Sequence, residues 1–126
     1  MSLIFDAGAF IAYERGDSFM RALVARAADN RTRVRTSTTI VAQVWRDGAR
    51  QVRLTRILRS VDEVALVPSR ARSVGALLRV CRTHDIADAA LVELATDGDE
   101  ILTSDPADIL HVANHSGKTL IITPVL

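Results

Sequence analysis

The sequence predicts an α/β domain with a mostly parallel β-sheet and helices on both of its faces. Short apolar runs alternate along the chain with longer segments in which apolar residues recur at helical spacing. The chain has 126 residues, of which 48% are hydrophobic and 25% charged, as is ordinary for a domain with one apolar core. We therefore expect a single domain over residues 1–126.

The first half of the chain predicts two strands and four helices. A short apolar run that ends in a turn predicts the first strand. Asp17 or Ser18 can cap the second helix, and Thr38 or Thr39 can cap the third, whose apolar face runs through Trp45. The predicted bounds are a strand over 2–5, helices over 9–14 and 17–28, a strand over 33–36, and helices from 38–39 onward, interrupted at Gly48, and over 51–60.

The second half predicts three strands and three helices. Pro68 ends the strand over 63–67, and apolar residues recur on one face of the next helix up to Cys81. Asp85 opens a further helix, and Asp105-Pro106 is typical of a helix start. The remaining predicted bounds are helices over 70–82 and 85–94, a strand over 100–103, a helix over 106–114 and a strand over 120–123.

Charge is segregated along the chain. All 15 arginines lie within residues 1–82 with seven acids, giving +8, whereas residues 83–126 carry eight acids and one base, giving −7. This division predicts one surface suited to phosphates and another suited to cations. No basic segment precedes the apolar N-terminal run and no apolar run reaches the length of a membrane span, so we expect a cytoplasmic protein without a membrane partner.

Aspartates follow the predicted strands and begin the predicted helices. Asp6 and Asp105 follow two strands, Asp108 lies one helical turn beyond Asp105, and Asp88 lies in the first turn of its helix. Each of them alone is equally typical of a helix cap. Ligands in open α/β sheets bind beyond the carboxyl ends of the strands, where carboxylates gathered together repel one another unless a cation neutralises them. Oxygen ligands without cysteine or histidine favour Mg²⁺ or Mn²⁺.

Three segments carry a resemblance to a known family. FDAGAFIA over residues 5–12, DIADAAL over 85–91 and ILTSDPAD over 101–108 resemble the acidic motifs of PIN-domain nucleases, in particular the VapC toxins of toxin–antitoxin pairs. The likeness extends to AQVWR over 42–46 and covers nearly the whole chain. The order and spacing of the motifs make the resemblance fairly specific.

The resemblance implies a PIN-like fold with a four- or five-stranded parallel sheet. It also implies that Asp6, Asp88 and Asp105 are catalytic and bind one or two Mg²⁺ or Mn²⁺ ions, with Asp108 as a further metal-binding acid. Such proteins cut RNA endonucleolytically with a water activated by the metal, and they commonly form homodimers. A cognate antitoxin silences them by covering the site.

One position departs from the family pattern. The family usually has a glutamate where this chain has Gln43, and an amide supplies a carbonyl oxygen without charge. Asp47, one turn further along the predicted helix, or Glu14, near the end of the first helix, could take its place. The alternative function is therefore a PIN-like module that binds RNA or an antitoxin without cutting.

Phosphate binding is expected from arginines. Arg46, Arg50 and Arg53 recur at spacings of four and three residues, which predicts a basic stripe on a helix. The same spacing is typical of a solvated helix face or of an interface with an acidic partner. Because the chain has one tryptophan and one tyrosine, we expect recognition of the RNA backbone and shape rather than stacking on bases.

Overall fold

The computed structural model describes all 126 residues, which form seven helices around one sheet of five parallel strands. The strands are β1 (Leu3–Phe5), β2 (Val34–Ser37), β3 (Val61–Val64), β4 (Glu100–Thr103) and β5 (Ile121–Pro124), in the spatial order β3-β2-β1-β4-β5. The helices are α1 (Ala7–Glu14), α2 (Ser18–Asp29), α3 (Thr38–Val44), α4 (Val52–Leu58), α5 (Pro68–Cys81), α6 (Ile86–Leu94) and α7 (Pro106–Ser116). The predicted α/β class and parallel sheet are confirmed.

The two central strands form the middle of the core. All three residues of β1 are buried, and because successive side chains point to opposite faces, both faces of the sheet are covered there. Ile101 and Leu102 of β4 are buried in the same way, and Phe5 packs edge-on against Phe10 of α1 with ring centroids 5.4 Å apart. Apolar residues on consecutive positions are typical of parallel strands with both faces buried.

The strand predicted over 63–67 lies two residues earlier, at β3. This edge strand is defined by its partner: β3 pairs with β2 from Val34 opposite Val61 to Ser37 opposite Val64. Since β2 ends at Ser37 and α3 begins at the next residue, residues 65–67 have no strand to pair with. The backbone N–H of Leu66 instead lies 3.4 Å from the Thr38 hydroxyl oxygen, which accepts its hydrogen bond.

The third helix is shorter than the sequence predicts. It ends at Val44, and Trp45 already has an extended backbone. The side chain of Gln51 replaces the next helical hydrogen bonds, because its carbonyl oxygen accepts from the N–H groups of Arg46 (2.8 Å) and Asp47 (3.0 Å). The Gln51 amide also donates to the Val44 carbonyl at 2.9 Å. Residues 45–51 therefore form a loop between α3 and α4.

Helix starts are otherwise close to prediction. Asp17 caps α2 as expected, whereas Ser37, rather than Thr38 or Thr39, caps α3. None of the seven helices combines the length and apolar character needed to cross a membrane.

Candidate functional site

The strand order creates a crevice at the carboxyl ends of β1 and β4. From β1 the chain crosses to β2 on one side, while β4 pairs with β1 on the other side, so the connections after β1 and β4 diverge. A cavity of about 320 Å³ opens at this point. Its polar lining includes four aspartates, one amide and one guanidinium: Asp6, Asp85, Asp88, Asp105, Gln43 and Arg46.

Asp6 is the most deeply buried of these acids, with 5% of its surface exposed. It caps α1, and its Oδ1 accepts a hydrogen bond of 3.1 Å from the backbone N–H of Ala9. Its Oδ2 accepts a hydrogen bond from the hydroxyl of Thr103 at the end of β4. Burial raises the pKa of Asp6 and the nearby charge of Asp105 adds to the rise, although both hydrogen bonds oppose it. Asp6 is thus a fixed carboxylate whose negative charge is only partly compensated.

Thr103 joins the two central strands at the site. Its hydroxyl donates to Asp6 and accepts a hydrogen bond of 2.9 Å from the backbone N–H of Asp105. Thr103 is completely buried, so this geometry is held by packing on all sides. The sequence does not predict this contact, because nothing in it distinguishes Thr103 from the other β-branched residues of the strands.

Gly8 allows the first helix to approach the loop after β4. A Cβ atom at this position would overlap the side chain of Ser104 and would lie 3.0 Å from the Ser104 backbone nitrogen. Because backbone cannot yield as a flexible side chain can, a glycine is required for this close approach. The contact brings the N-terminus of α1 and the start of α7 to the same side of the cavity.

Asp85 and Asp88 lie next to each other at the start of α6. Asp85 caps the helix, and its Oδ1 accepts a hydrogen bond of 3.0 Å from the Asp88 backbone N–H. Burial raises the pKa of Asp88 to about 7, with further contributions from the negative charges of Asp85, Asp6 and Asp108. Asp85 was predicted only as the start of a helix, so its place in the cavity is an addition to the predicted site.

Asp108 lies beside the main cavity. It lines a smaller cavity of about 150 Å³ together with Asp85, Asp88 and His111, among other residues. Asp85 and Asp88 line both cavities, so the two spaces adjoin. The predicted aspartates Asp6, Asp88 and Asp105 therefore line one cavity, and Asp108 lies on its neighbour.

Arg46 brings a positive charge to the main cavity. Its Nη1 donates to the carbonyl oxygens of Trp45 (2.7 Å) and Ala42 (3.1 Å), which hold the guanidinium at the end of α3. Arg46 makes no salt bridge, although it shares the cavity with four aspartates. Gln43 of α3 lines the same cavity, as the motif comparison predicts for the position that carries glutamate in the family.

The other predicted accessory acids lie outside the cavity lining. Asp47 is in the loop after α3, not one turn further along the helix, and it caps the local turn at Ala49 and pairs with Arg50 at 3.7 Å. Glu14 ends α1 and contacts the amide of Gln51 at 3.4 Å. Neither residue lines the cavity with Gln43. In this structure, therefore, neither acid is placed to take the role of the missing glutamate.

The predicted basic stripe is not a feature of one helix. Arg46 and Arg50 lie in the loop between α3 and α4, and Arg53 lies on α4. Arg53 donates to the Glu14 carbonyl at 2.9 Å, so it joins α4 to α1 instead of lining the cavity. The reason is the early end of α3, which breaks the helical spacing on which the prediction depended.

The donor set suits a hard divalent cation in chemical type. The polar lining of the cavity is rich in oxygen atoms from carboxylates, a hydroxyl and an amide, and it contains no cysteine or histidine. No three acidic, histidine or cysteine side chains stand close enough to form a complete metal site. Mg²⁺ retains several waters and commonly uses one or two carboxylates, so a complete cage of side chains is not required for it.

No protein-family model matches the chain, and no curated protein matches it either. The family resemblance therefore continues to depend on the three acidic segments and their spacing.

Proposed function

We propose that this protein is an endoribonuclease that depends on Mg²⁺ or Mn²⁺. The observation that supports the proposal is the convergence of Asp6, Asp85, Asp88 and Asp105 on one cavity at the carboxyl ends of β1 and β4. Asp6 and Asp85 are also helix caps, but Asp88 lies within its helix and Asp105 makes no side-chain cap, so capping does not account for the whole cluster. Burial and repulsion from nearby carboxylates raise the pKa of Asp88, because both make its charged form less stable. A bound divalent cation would offset this destabilisation.

The residues that line the cavity would have different roles in hydrolysis. Asp6, fixed by Thr103 and Ala9, is a rigid oxygen donor, whereas Asp105 is held only through its backbone and can adjust its carboxylate. Arg46, which lines the same cavity, would donate hydrogen bonds to a phosphate oxygen of the substrate. A bound Mg²⁺ or Mn²⁺ would supply an activated water and charge stabilisation at the phosphate during hydrolysis of the phosphodiester.

The biological role follows from the same resemblance. We propose that the nuclease is the toxin of a type II toxin–antitoxin system, acts in the cytoplasm as a homodimer, and is silenced by a cognate antitoxin protein. RNA is the proposed substrate because of the resemblance to PIN-domain nucleases, and an acidic cavity that also contains Arg46 suits a phosphodiester with a bound cation.

A second candidate function is a module that binds RNA or an antitoxin without cutting. Gln43 favours it, because this amide lines the cavity at the position where the family carries a glutamate. Neither Asp47 nor Glu14 lines the cavity to restore the missing charge. The two candidate functions make opposite predictions for RNA cleavage.

The deciding experiment is RNA cleavage by the purified protein with Mg²⁺ or Mn²⁺ and with EDTA. We expect cleavage with metal, none with EDTA, and loss of cleavage in Asp6→Asn. Asp29→Asn is the matched control, because Asp29 is exposed on α2 and its substitution removes the same charge outside the cavity. Cleavage by Asp6→Asn at the rate of the control would contradict the proposed site.

The same samples test the second candidate. Folded wild-type protein that binds RNA but leaves several substrates uncut in either metal would support the binding module. A rise in melting temperature on addition of Mn²⁺, absent in Asp6→Asn, would show independently whether the acidic cavity binds the cation.

A further inference from the structure

A basic cavity lies at the C-terminal end of α5. It has a volume of about 320 Å³ and is lined by Leu78, Arg79, Arg82, Thr83 and His84. Arg79 and Arg82 are exposed and make no salt bridge or side-chain hydrogen bond; all four salt bridges of the protein use other arginines. Their guanidinium groups are therefore available to a ligand. We call these five residues the arginine pocket.

The backbone places the basic side chains at the end of the helix. Arg79 lies in the last turn of α5, and Arg82 caps the helix in a left-handed conformation with φ of 56°. The N–H of Arg82 donates to the carbonyl of Leu78, which closes the helix and turns the chain toward α6. A cation at a helix C-terminus also stabilises the helix dipole, so variants here need a check of stability.

The arginine pocket shares a lining residue with the smaller acidic cavity. Thr83 lines both the arginine pocket and the cavity of about 150 Å³ that contains Asp108. The Thr83 hydroxyl also accepts a hydrogen bond of 3.3 Å from the backbone N–H of Asp85, which lines the main cavity. Shared lining residues thus link the three cavities, two of which are lined by aspartates and the third of which is the arginine pocket; together we call them the groove.

We propose that the arginine pocket binds a backbone phosphate of an RNA strand that has another phosphate in the acidic cavity. The inference rests on the proposed function, because it takes RNA as the ligand of the acidic cavity. An acidic centre repels the other phosphates of the strand, so a strand that crosses it needs positive charge on both sides. Guanidinium groups suit phosphate oxygens because they donate several hydrogen bonds in a planar fork.

The lining of the groove also defines how the strand is recognised. None of the three cavities is lined by phenylalanine, tyrosine or tryptophan, and His84 and His111 are their only aromatic side chains. The charged side chains of the groove therefore favour contacts with the phosphates of the strand.

The test compares RNA affinity in a pair of double variants. Arg79→Gln with Arg82→Asn removes both guanidinium groups, and asparagine is chosen at position 82 because it tolerates left-handed backbone. Arg21→Gln with Arg26→Gln is the matched control: both arginines are exposed on α2, form no salt bridge and line none of the three cavities. Affinity is measured by fluorescence anisotropy with oligoribonucleotides of graded length in EDTA and in Mg²⁺, and melting temperatures verify folding.

We expect the pocket variant to bind the longer oligoribonucleotides about tenfold more weakly and the control to change little. In Mg²⁺ the shortest strands, which can occupy the acidic cavity without reaching the arginine pocket, should lose less affinity in the pocket variant than the longer strands. The slope of log Kd against log salt concentration should fall by about 0.7 for each phosphate that the variant no longer neutralises. Equal weakening in both double variants, or the same fold-weakening at every strand length in Mg²⁺, would overturn the phosphate subsite.

Four further outcomes test the inference against an acidic polypeptide and against the proposed function. If poly-glutamate of matched charge binds as tightly as RNA and is weakened equally by the pocket variant, the pocket recognises an acidic polypeptide and the RNA subsite is overturned. If RNA binding depends on the pocket but Mg²⁺ or Mn²⁺ gives no cleavage, the subsite stands and the nuclease fails. If the pocket variant cleaves RNA and binds it as tightly as the wild type does, the nuclease stands and the phosphate subsite is overturned. If the wild type binds no RNA, both the subsite and the nuclease are overturned.

Discussion

The hydroxyl of Thr103 donates a hydrogen bond to the carboxylate of Asp6, between residues 97 positions apart in the chain. The two residues stand at the carboxyl ends of the paired central strands β1 and β4, which run parallel with Phe5 opposite Leu102. The same hydroxyl accepts a hydrogen bond from the N–H of Asp105. One buried threonine therefore ties together two of the acids on which the proposed chemistry depends.

Replacing Thr103 by valine should damage both the fold and the site. Thr103→Val keeps a β-branched shape but leaves the buried Asp6 carboxylate and the Asp105 N–H without their shared partner. We expect the free energy of unfolding, measured in urea, to fall by about 1–3 kcal/mol, together with reduced RNA cleavage. Thr103→Ser retains the hydroxyl and is the control. A valine variant as stable and active as the serine variant would show that the hydrogen bond is dispensable.

The Asp88 carboxyl predicts an unusual dependence of stability on pH when metal is absent. Its pKa is about 7 in the folded protein, against an ordinary value of 3.8, so between these values the folded state holds more protons than the unfolded state. Its contribution to stability is therefore fully present below pH 3.8 and is lost as the pH rises through 7. We expect the free energy of unfolding in EDTA to fall over this range.

Two amide substitutions test this pH prediction, one at Asp88 and one at a control residue. Asp88→Asn should flatten the fall in stability and leave the protein more stable than the wild type above the raised pKa. Asp29→Asn, at an exposed residue of α2, should retain the wild-type slope. Urea unfolding at several pH values measures both, and an unchanged slope in Asp88→Asn would contradict the raised pKa.

A second acid predicts the opposite trend in the acid range. Burial tends to raise the pKa of Asp99, but hydrogen bonds from the backbone N–H groups of Thr96 (2.9 Å) and Ser2 (2.7 Å) outweigh it, and the pKa is lowered. The stability that Asp99 contributes is present above its ordinary pKa of 3.8 and is lost as the pH falls through the lowered value. Asp99→Asn should be less stable than the wild type near neutral pH, with the difference shrinking below pH 3.8 in urea unfolding. A difference that stays constant over this range would contradict the prediction.

The central strands could be predicted from the sequence because their signals are local. The strand predicted over 100–103 is β4, Glu100–Thr103, whose apolar residues stand between polar segments and an Asp-Pro helix start. The bounds of β3 could not be predicted in the same way, because an edge strand ends where its neighbour β2 ends. The loop after α3 likewise depends on the side chain of Gln51, a contact that no helical periodicity reveals.

In the candidate site, too, the sequence predicts the residues that have a local signal and misses those that depend on tertiary contacts. Asp6, Asp88 and Asp105 could be assigned to one edge of the sheet because each follows a strand or begins a helix. The involvement of Thr103 could not be predicted, because it depends on pairing between distant parts of the chain. The position of Asp85 in the cavity was not predicted, because its role as a helix cap is already sufficient to explain an aspartate at this place in the sequence.

Gly8 should be intolerant of even one added methyl group. The Cβ of alanine would overlap the Ser104 side chain and lie 3.0 Å from its backbone nitrogen, so α1 and the loop after β4 would have to separate. We expect Gly8→Ala to be less stable by about 1–3 kcal/mol in urea unfolding and to impair cleavage. Gly75→Ala is the control: Gly75 lies in α5, a Cβ there meets nothing within 4 Å, and alanine should stabilise the helix by about 0.5–1 kcal/mol. Equal stability of the two variants would contradict the close approach.

Gln43→Glu tests the one position where the cavity departs from the family pattern. A glutamate would add a negative oxygen donor to a cavity already lined by four aspartates. Without metal, the added repulsion should lower the melting temperature; with Mn²⁺, the extra charge should increase affinity by on the order of tenfold. Isothermal titration with Mn²⁺ measures the affinity, and Asn114→Asp, at an exposed position of α7 outside the cavity lining, controls for the change in net charge.

If the protein cuts RNA only after Gln43→Glu, the natural amide has made it a binding module. If Mn²⁺ affinity changes no more than in Asn114→Asp, position 43 has no contact with the cation, and the amide gives no reason to expect weakened catalysis.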